Sequence, residues 1–106
     1  MKLPTPAERE RLALLAEECS EVVQIAMKIL RHGYESYHPD DPDEDNRELL
    51  EKELGDVRFA TRLMIEAKDI NKGEIHSYAH AKGDSVAQYL HSQPDELVKK
   101  ATEASL

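Results

Sequence analysis

Two pairs of acids interrupt helical stripes that are otherwise apolar: Glu18 with Glu21, and Glu53 with Asp56. Leu14 and Ile25 flank the first pair, and Leu49, Ala60 and Leu63 flank the second. Residues three apart project from nearly the same side of a helix, so each pair can reach one point in space. If the two helices pack antiparallel, those points coincide. Burying carboxylates among aliphatic side chains is costly and four at close range repel, so a hard divalent cation taking their oxygens is the cheapest resolution.

The surrounding pattern is helical throughout. Thr5 can cap a first helix starting at Pro6, with Glu8 as the capping-box partner and proline at a tolerated position. Leu12, Leu15, Cys19, Val22, Ala26 and Ile29 then recur at spacings of three and four, the mark of a core-facing seam, and Gly33 is the natural left-handed stop. Residues 34–45 hold two prolines among acids and hydroxyls and read as a long loop. Asp45 with Glu48 opens a second helix over roughly 46–70, with Leu50, Leu54, Val57, Thr61 and Met64 as its seam.

Asn71, Lys72 and Gly73 break the chain, a third helix runs from about Glu74 to Leu90, and a short last helix covers about 93–105. Alternating strand patterns are missing. The expectation is an all-α bundle of three main helices plus a short C-terminal helix, one domain over 1–106, completed by self-association because a core of this length stabilises only modestly.

Composition narrows the function. A formal net charge of -8 gives no basic surplus for a nucleic-acid backbone, and an anionic substrate would need a metal bridge. The single cysteine, Cys19, rules out a disulfide framework and reads as small core packing in a reducing cytoplasm. The absence of a signal-peptide core and of long apolar runs leads us to expect a soluble, unexported protein with no membrane partner.

The strings Glu17-Glu18-Cys19-Ser20-Glu21 and Glu53-Leu54-Gly55-Asp56, on successive helices, resemble the paired ExxE and ExxD signature of the MazG-like, all-α nucleoside triphosphate pyrophosphohydrolases, and the likeness extends over roughly residues 8–90. What that resemblance implies is Mg²⁺-dependent hydrolysis of a nucleoside triphosphate to monophosphate and pyrophosphate, on helical bundles assembled as dimers or tetramers. By position it makes Glu18, Glu21, Glu53 and Asp56 the metal ligands, with Mn²⁺ as a possible substitute ion, and matches Lys82 to a phosphate-binding lysine. The chain departs from the family pattern in the 31 residues between Glu21 and Glu53, in Lys52, and in Val86.

Around that core set, Glu17 shares a stripe with Glu21, Gln24, Lys28 and Arg31. Glu17 is the candidate to orient or deprotonate a water, a role Glu21 could share. Lys28, Arg31 and Lys82 are the candidates to hold phosphates, although a basic last turn also simply complements the helix dipole. Gly55, costing about 1 kcal/mol in mid-helix relative to alanine, points to close approach of the facing helix. His76 and His80 could face a transition metal but lack an evident third ligand, and Tyr34, Tyr37 and His38 could stack on a base. Two alternatives stay open: phosphoribosyl-ATP pyrophosphohydrolase-like activity, and a non-enzymatic helical module with a structural cation site.

Overall fold

A capping box starts the first helix, as the sequence requires. In the computed structural model, which describes residues 1–105, the Glu8 N–H donates to Thr5 Oγ1 at 3.2 Å and the Thr5 N–H donates to Glu8 Oε1 at 2.9 Å. Helix α1 covers Pro6–His32 and ends at Gly33, whose φ of 88° lies in the region only glycine enters freely. Helix α2 covers Asn46–Glu66, α3 Lys72–Val86 and α4 Asp95–Glu103, with a 3₁₀ turn at Ala87–Tyr89. The described residues are all-helical, without a strand, in two compact units divided after Asp69.

In the first unit α1 and α2 form an antiparallel hairpin clamped at both ends. At the open end Arg11 grips Asp69 through two parallel bonds, Nε to Oδ2 at 2.6 Å and Nη2 to Oδ1 at 3.0 Å. Bidentate geometry of this kind is worth more than an ordinary surface pair. It holds the Asp69 carboxyl below its usual range, and its counterpart raises Arg11. At the loop end the side-chain amide of Asn46, 2% exposed, donates to the Gly33 carbonyl at 3.1 Å.

Residues 34–45 form a loop, as expected, but one closed by the backbone. The Asn46 N–H donates to the Ser36 carbonyl and the Arg47 N–H to the Tyr34 carbonyl, both at 2.9 Å, while Tyr37 and Asp45 form an isolated bridge. Asp45 caps α2 by accepting from the Glu48 N–H at 2.9 Å. Arg47 lies 5.1 Å over the Tyr34 ring and Glu44 pairs with Lys52.

Helix α2 stops four residues before the expected 70. The Lys68 N–H returns to the Ile65 carbonyl and the Asp69 N–H to the Met64 carbonyl, both at 2.9 Å, with Lys68 left-handed at φ 66°. This is a Schellman closure with lysine where glycine is usual, and it delivers Asp69 to Arg11.

The seam of α1 divides. Leu15, Val22 and Ile29 turn inward with Leu14, Glu18 and Ile25, whereas Leu12, Cys19 and Ala26 are exposed. Cys19 is therefore not core packing. On α2, Leu54 is likewise exposed at 49% while Leu50, Val57, Thr61 and Met64 stay at least half-buried. The reason is the width of an apolar arc: two neighbouring stripes share the same three-four spacing, and one partner helix covers only one of them.

The second unit holds the α3–α4 pair. Asn71 begins α3 instead of ending the preceding stretch, accepting from the Glu74 N–H at 3.0 Å, so the helix starts two residues earlier than expected. It gives way to the 3₁₀ turn at Ala87, short of the expected Leu90. Gly83, not Gly55, is the glycine of close approach. A Cβ at Gly83 would lie 2.8 Å from Cβ and Cγ2 of Thr102 on α4, whereas one at Gly55 meets nothing within 4 Å. Among the described residues no helix is long and apolar enough to cross a membrane.

Two substitutions check this packing. Asn46→Ala should lower stability by about 0.5–1.5 kcal/mol in denaturant titration, because it removes the hydrogen bond that this buried side chain makes to the Gly33 carbonyl. Gly83→Ala should unfold α3–α4 at lower denaturant, and adding Thr102→Ala should recover part of the loss, since it removes Cγ2 and Oγ1 but leaves the Cβ contact. An unchanged midpoint for Gly83→Ala would contradict the close approach.

Candidate metal centre

The antiparallel hairpin brings the two acidic pairs to one level. Glu18 and Glu21 on α1, and Glu53 and Asp56 on α2, each offer a carboxylate oxygen, and these four atoms lie within 4.8 Å of one another. Glu18, Glu21 and Glu53 are half-buried, and Asp56 is exposed. The expected convergence of these four residues is present in the fold. It follows from helix periodicity, because three-residue spacing aligns each pair and the end clamps fix the register.

Two oxygens of this cluster, Oε2 of Glu18 and Oε2 of Glu53, are buried without any hydrogen-bond partner. Orphaned buried carboxylate oxygens are rare and costly, and a missing cation is one physical reason for them. Four oxygen donors at this separation, without nitrogen or sulfur, suit a hard ion of the Mg²⁺ type. The residues fit the group that the sequence pattern calls for.

The acids disturb one another. Glu53 is pushed up to about 7, first by its hydrogen bond with Glu21, then by burial, then by the charges of Glu21, Asp56 and Glu18. Glu18 is raised by burial first, then by the charges of Glu21, Asp56 and Glu17. The cation-free cluster thus holds a proton near neutral pH to relieve its repulsion, the behaviour expected of paired carboxylates.

The other residues singled out from sequence are placed less tightly. Glu17 is exposed, close enough to raise Glu18 by its charge but outside the set of four. Lys28 is half-buried two helical turns beyond Glu21, about 10 Å along the axis at 1.5 Å per residue. Arg31 is exposed in the last turn of α1. Lys82, on α3, belongs to the second unit and lines an apolar groove between α3 and α4 with Ala79, Val86 and Leu97.

His80 lies 3.8 Å from Asp84 rather than joining His76 around a common point, and both histidines are exposed. Tyr34 and Tyr37 are half-exposed at 50% and 55%, with one face of Tyr34 covered by Arg47. Sequence reading missed Asn46 and the Arg11–Asp69 clamp, which hold the register of the site. Neither carries a local motif: their partners are 13 and 58 residues away. Compared with protein-family models, curated proteins and solved structures, the chain matches none.

The direction of the Glu53 shift fixes a pH dependence. Its folded pKa of about 7 exceeds the ordinary 4.5, so the folded chain binds the proton more tightly than the unfolded one. That contribution is fully present below pH 4.5 and is lost as pH rises through about 7. Asp69, lowered from 3.8, acts oppositely and below this window. In EDTA the melting temperature should fall between pH 5 and 8, and Glu53→Gln should flatten the fall. A wild-type melting temperature that is level across this range would contradict the raised Glu53.

Proposed function

We propose that the chain is a MazG-like, Mg²⁺-dependent nucleoside triphosphate pyrophosphohydrolase, cleaving an NTP or dNTP to monophosphate and pyrophosphate in the cytoplasm, its helical bundle completed by self-association. The observation that carries the reading is the convergence of Glu18, Glu21, Glu53 and Asp56 with two buried oxygens left unpartnered. The ExxE and ExxD strings that supply these residues are those of the resemblance, which supports the choice of substrate class over a merely structural ion.

A triphosphate resists hydrolysis because its charge repels a nucleophile and its leaving group departs poorly. Divalent ions held by the four carboxylates would supply neutralisation of that charge. The remaining work falls to the chain. Glu53 gives up the proton it holds near neutral pH so that the carboxylates present full charge. Glu17, exposed at the rim, accepts a hydrogen bond from a water and orients it or takes its proton, a role open to Glu21 as well. Lys28 and Arg31 are the cations that the same hairpin offers to phosphate oxygens.

Activity is tested by pyrophosphate release from canonical and modified nucleotides. Glu53→Gln should abolish turnover while folding is kept, since removing one charge relieves repulsion in the cation-free state. Mg²⁺ or Mn²⁺ should support the reaction, and Ca²⁺, larger and looser in geometry, should support it poorly. Equal rates in mutant and wild type would refute the site. Preference for phosphoribosyl-ATP would move the reaction to that substrate, and Mg²⁺ raising the melting temperature with no pyrophosphate from any nucleotide would make the centre structural.

A further inference from the structure

Lys52 is the cation of the hairpin that stands closest in the chain to the carboxylate cluster, one residue before Glu53 and four before Asp56. At 100° and 1.5 Å per residue it lies about 40° around α2 from Asp56, on the side away from Glu53, and about 6 Å from Asp56 along the axis. Exposure rises in the same order: Glu53 is half-buried, Asp56 exposed, and the Lys52 side chain 66% exposed. Lys52 therefore borders the open side of the cluster. Arg58, two residues past Asp56, projects about 160° away from it on the outer side of α2. Lys28 and Arg31 start two turns or more beyond Glu21.

The Lys52 ammonium is not directed at the acids that share its helix face. Glu48 and Asp56, each four residues away, are placed for an ordinary helical ion pair. Nζ instead donates to Oε1 of Glu44, eight residues away in the loop. Glu44 is a fixed partner. It immediately precedes Asp45, which caps α2, and Asn46, which anchors the loop to Gly33, and its side chain is 18% exposed. A long, exposed lysine is thus held on a fixed acid at the edge of the cluster. Lys52 is also a position where the chain departs from the family pattern, so the resemblance assigns it no role.

Charge decides what such a lysine can do. A bound triphosphate adds about four negative charges to those of the four carboxylates, more than one or two divalent ions offset. A phosphate group approaching these donors must come from the open side that Lys52 borders. An ion pair with one exposed partner is weak, whereas an ammonium on a phosphate makes a charge-assisted bond and has several oxygens to choose from. The exchange of partners favours the phosphate.

We propose that Lys52 is a phosphate-gripping residue of this site, with Glu44 as its resting partner, and that a triphosphate bound at the four carboxylates takes the ammonium over from Glu44. This rests on the triphosphate reading of the cluster and adds to it a residue from outside the ExxE and ExxD strings. Glu44 then weakens substrate binding, because it competes for the same ammonium and is left half-buried without its partner after the exchange.

The test is calorimetric binding of inorganic tripolyphosphate to the whole chain in saturating Mg²⁺, with KM and kcat for any nucleotide hydrolysed as a second readout. Lys52→Ala should weaken binding by about tenfold or more, and Lys52→Arg by less than about threefold, on the scale of one charge-assisted hydrogen bond. KM should rise more than kcat falls in Lys52→Ala. Glu44→Gln should tighten binding by about threefold on its own and do nothing in the Lys52→Ala background, since its effect runs through the lysine. Wild type that fails to bind tripolyphosphate, unchanged affinity in Lys52→Ala, or a Glu44→Gln gain that persists without the lysine would each overturn the proposal, even with pyrophosphate released from a nucleotide. The expected binding pattern with no nucleotide hydrolysed would keep Lys52 as the phosphate residue and remove the pyrophosphohydrolase reading instead.

Discussion

Mutual repulsion among four carboxylates governs this hairpin. Glu18, Glu21, Glu53 and Asp56 bring like charges within 4.8 Å on the inner side of two packed helices. Left alone they would drive α1 and α2 apart or take up protons. The chain does the second and prevents the first. A proton held by Glu53 near neutral pH lowers the local charge, while Arg11–Asp69 at one end and Asn46–Gly33 at the other keep the helices in register. Stability is given up locally where these four oxygen donors converge.

The same constraint explains the small core. An inner stripe that carries three half-buried acids has less room for aliphatic side chains, and among the described residues only Ala60 and Met64 are fully buried apolar groups. Apolar surface that is not used between α1 and α2 remains outside, at Leu12, Val23 and Leu30 among others.

Glycine shows how far local rules carry. Gly55 sits between the acids of the second pair, where close helix approach looked the simplest reason for it, yet open space surrounds its Cβ position. Gly83 lies inside α3, where Thr102 presses against it so closely that no side chain fits. Both are mid-helix glycines with the same intrinsic cost. What distinguishes them is a neighbour on another helix, which no local pattern encodes.

Sequence alone determined the helices, most of their caps and the pairing of the acids, because these rest on periodicity and on hydrogen bonds three or four residues apart. Thr5 with Glu8, Gly33, and Asp45 with Glu48 were readable for that reason. Tertiary structure decided which of two adjacent apolar stripes on α1 faces α2, that Cys19 lies outside, that α2 ends in a Schellman turn at Lys68, and that Asn46 and Asp69 hold the hairpin. Those outcomes depend on contacts across tens of residues, where competing partners of equal local merit are separated only by packing.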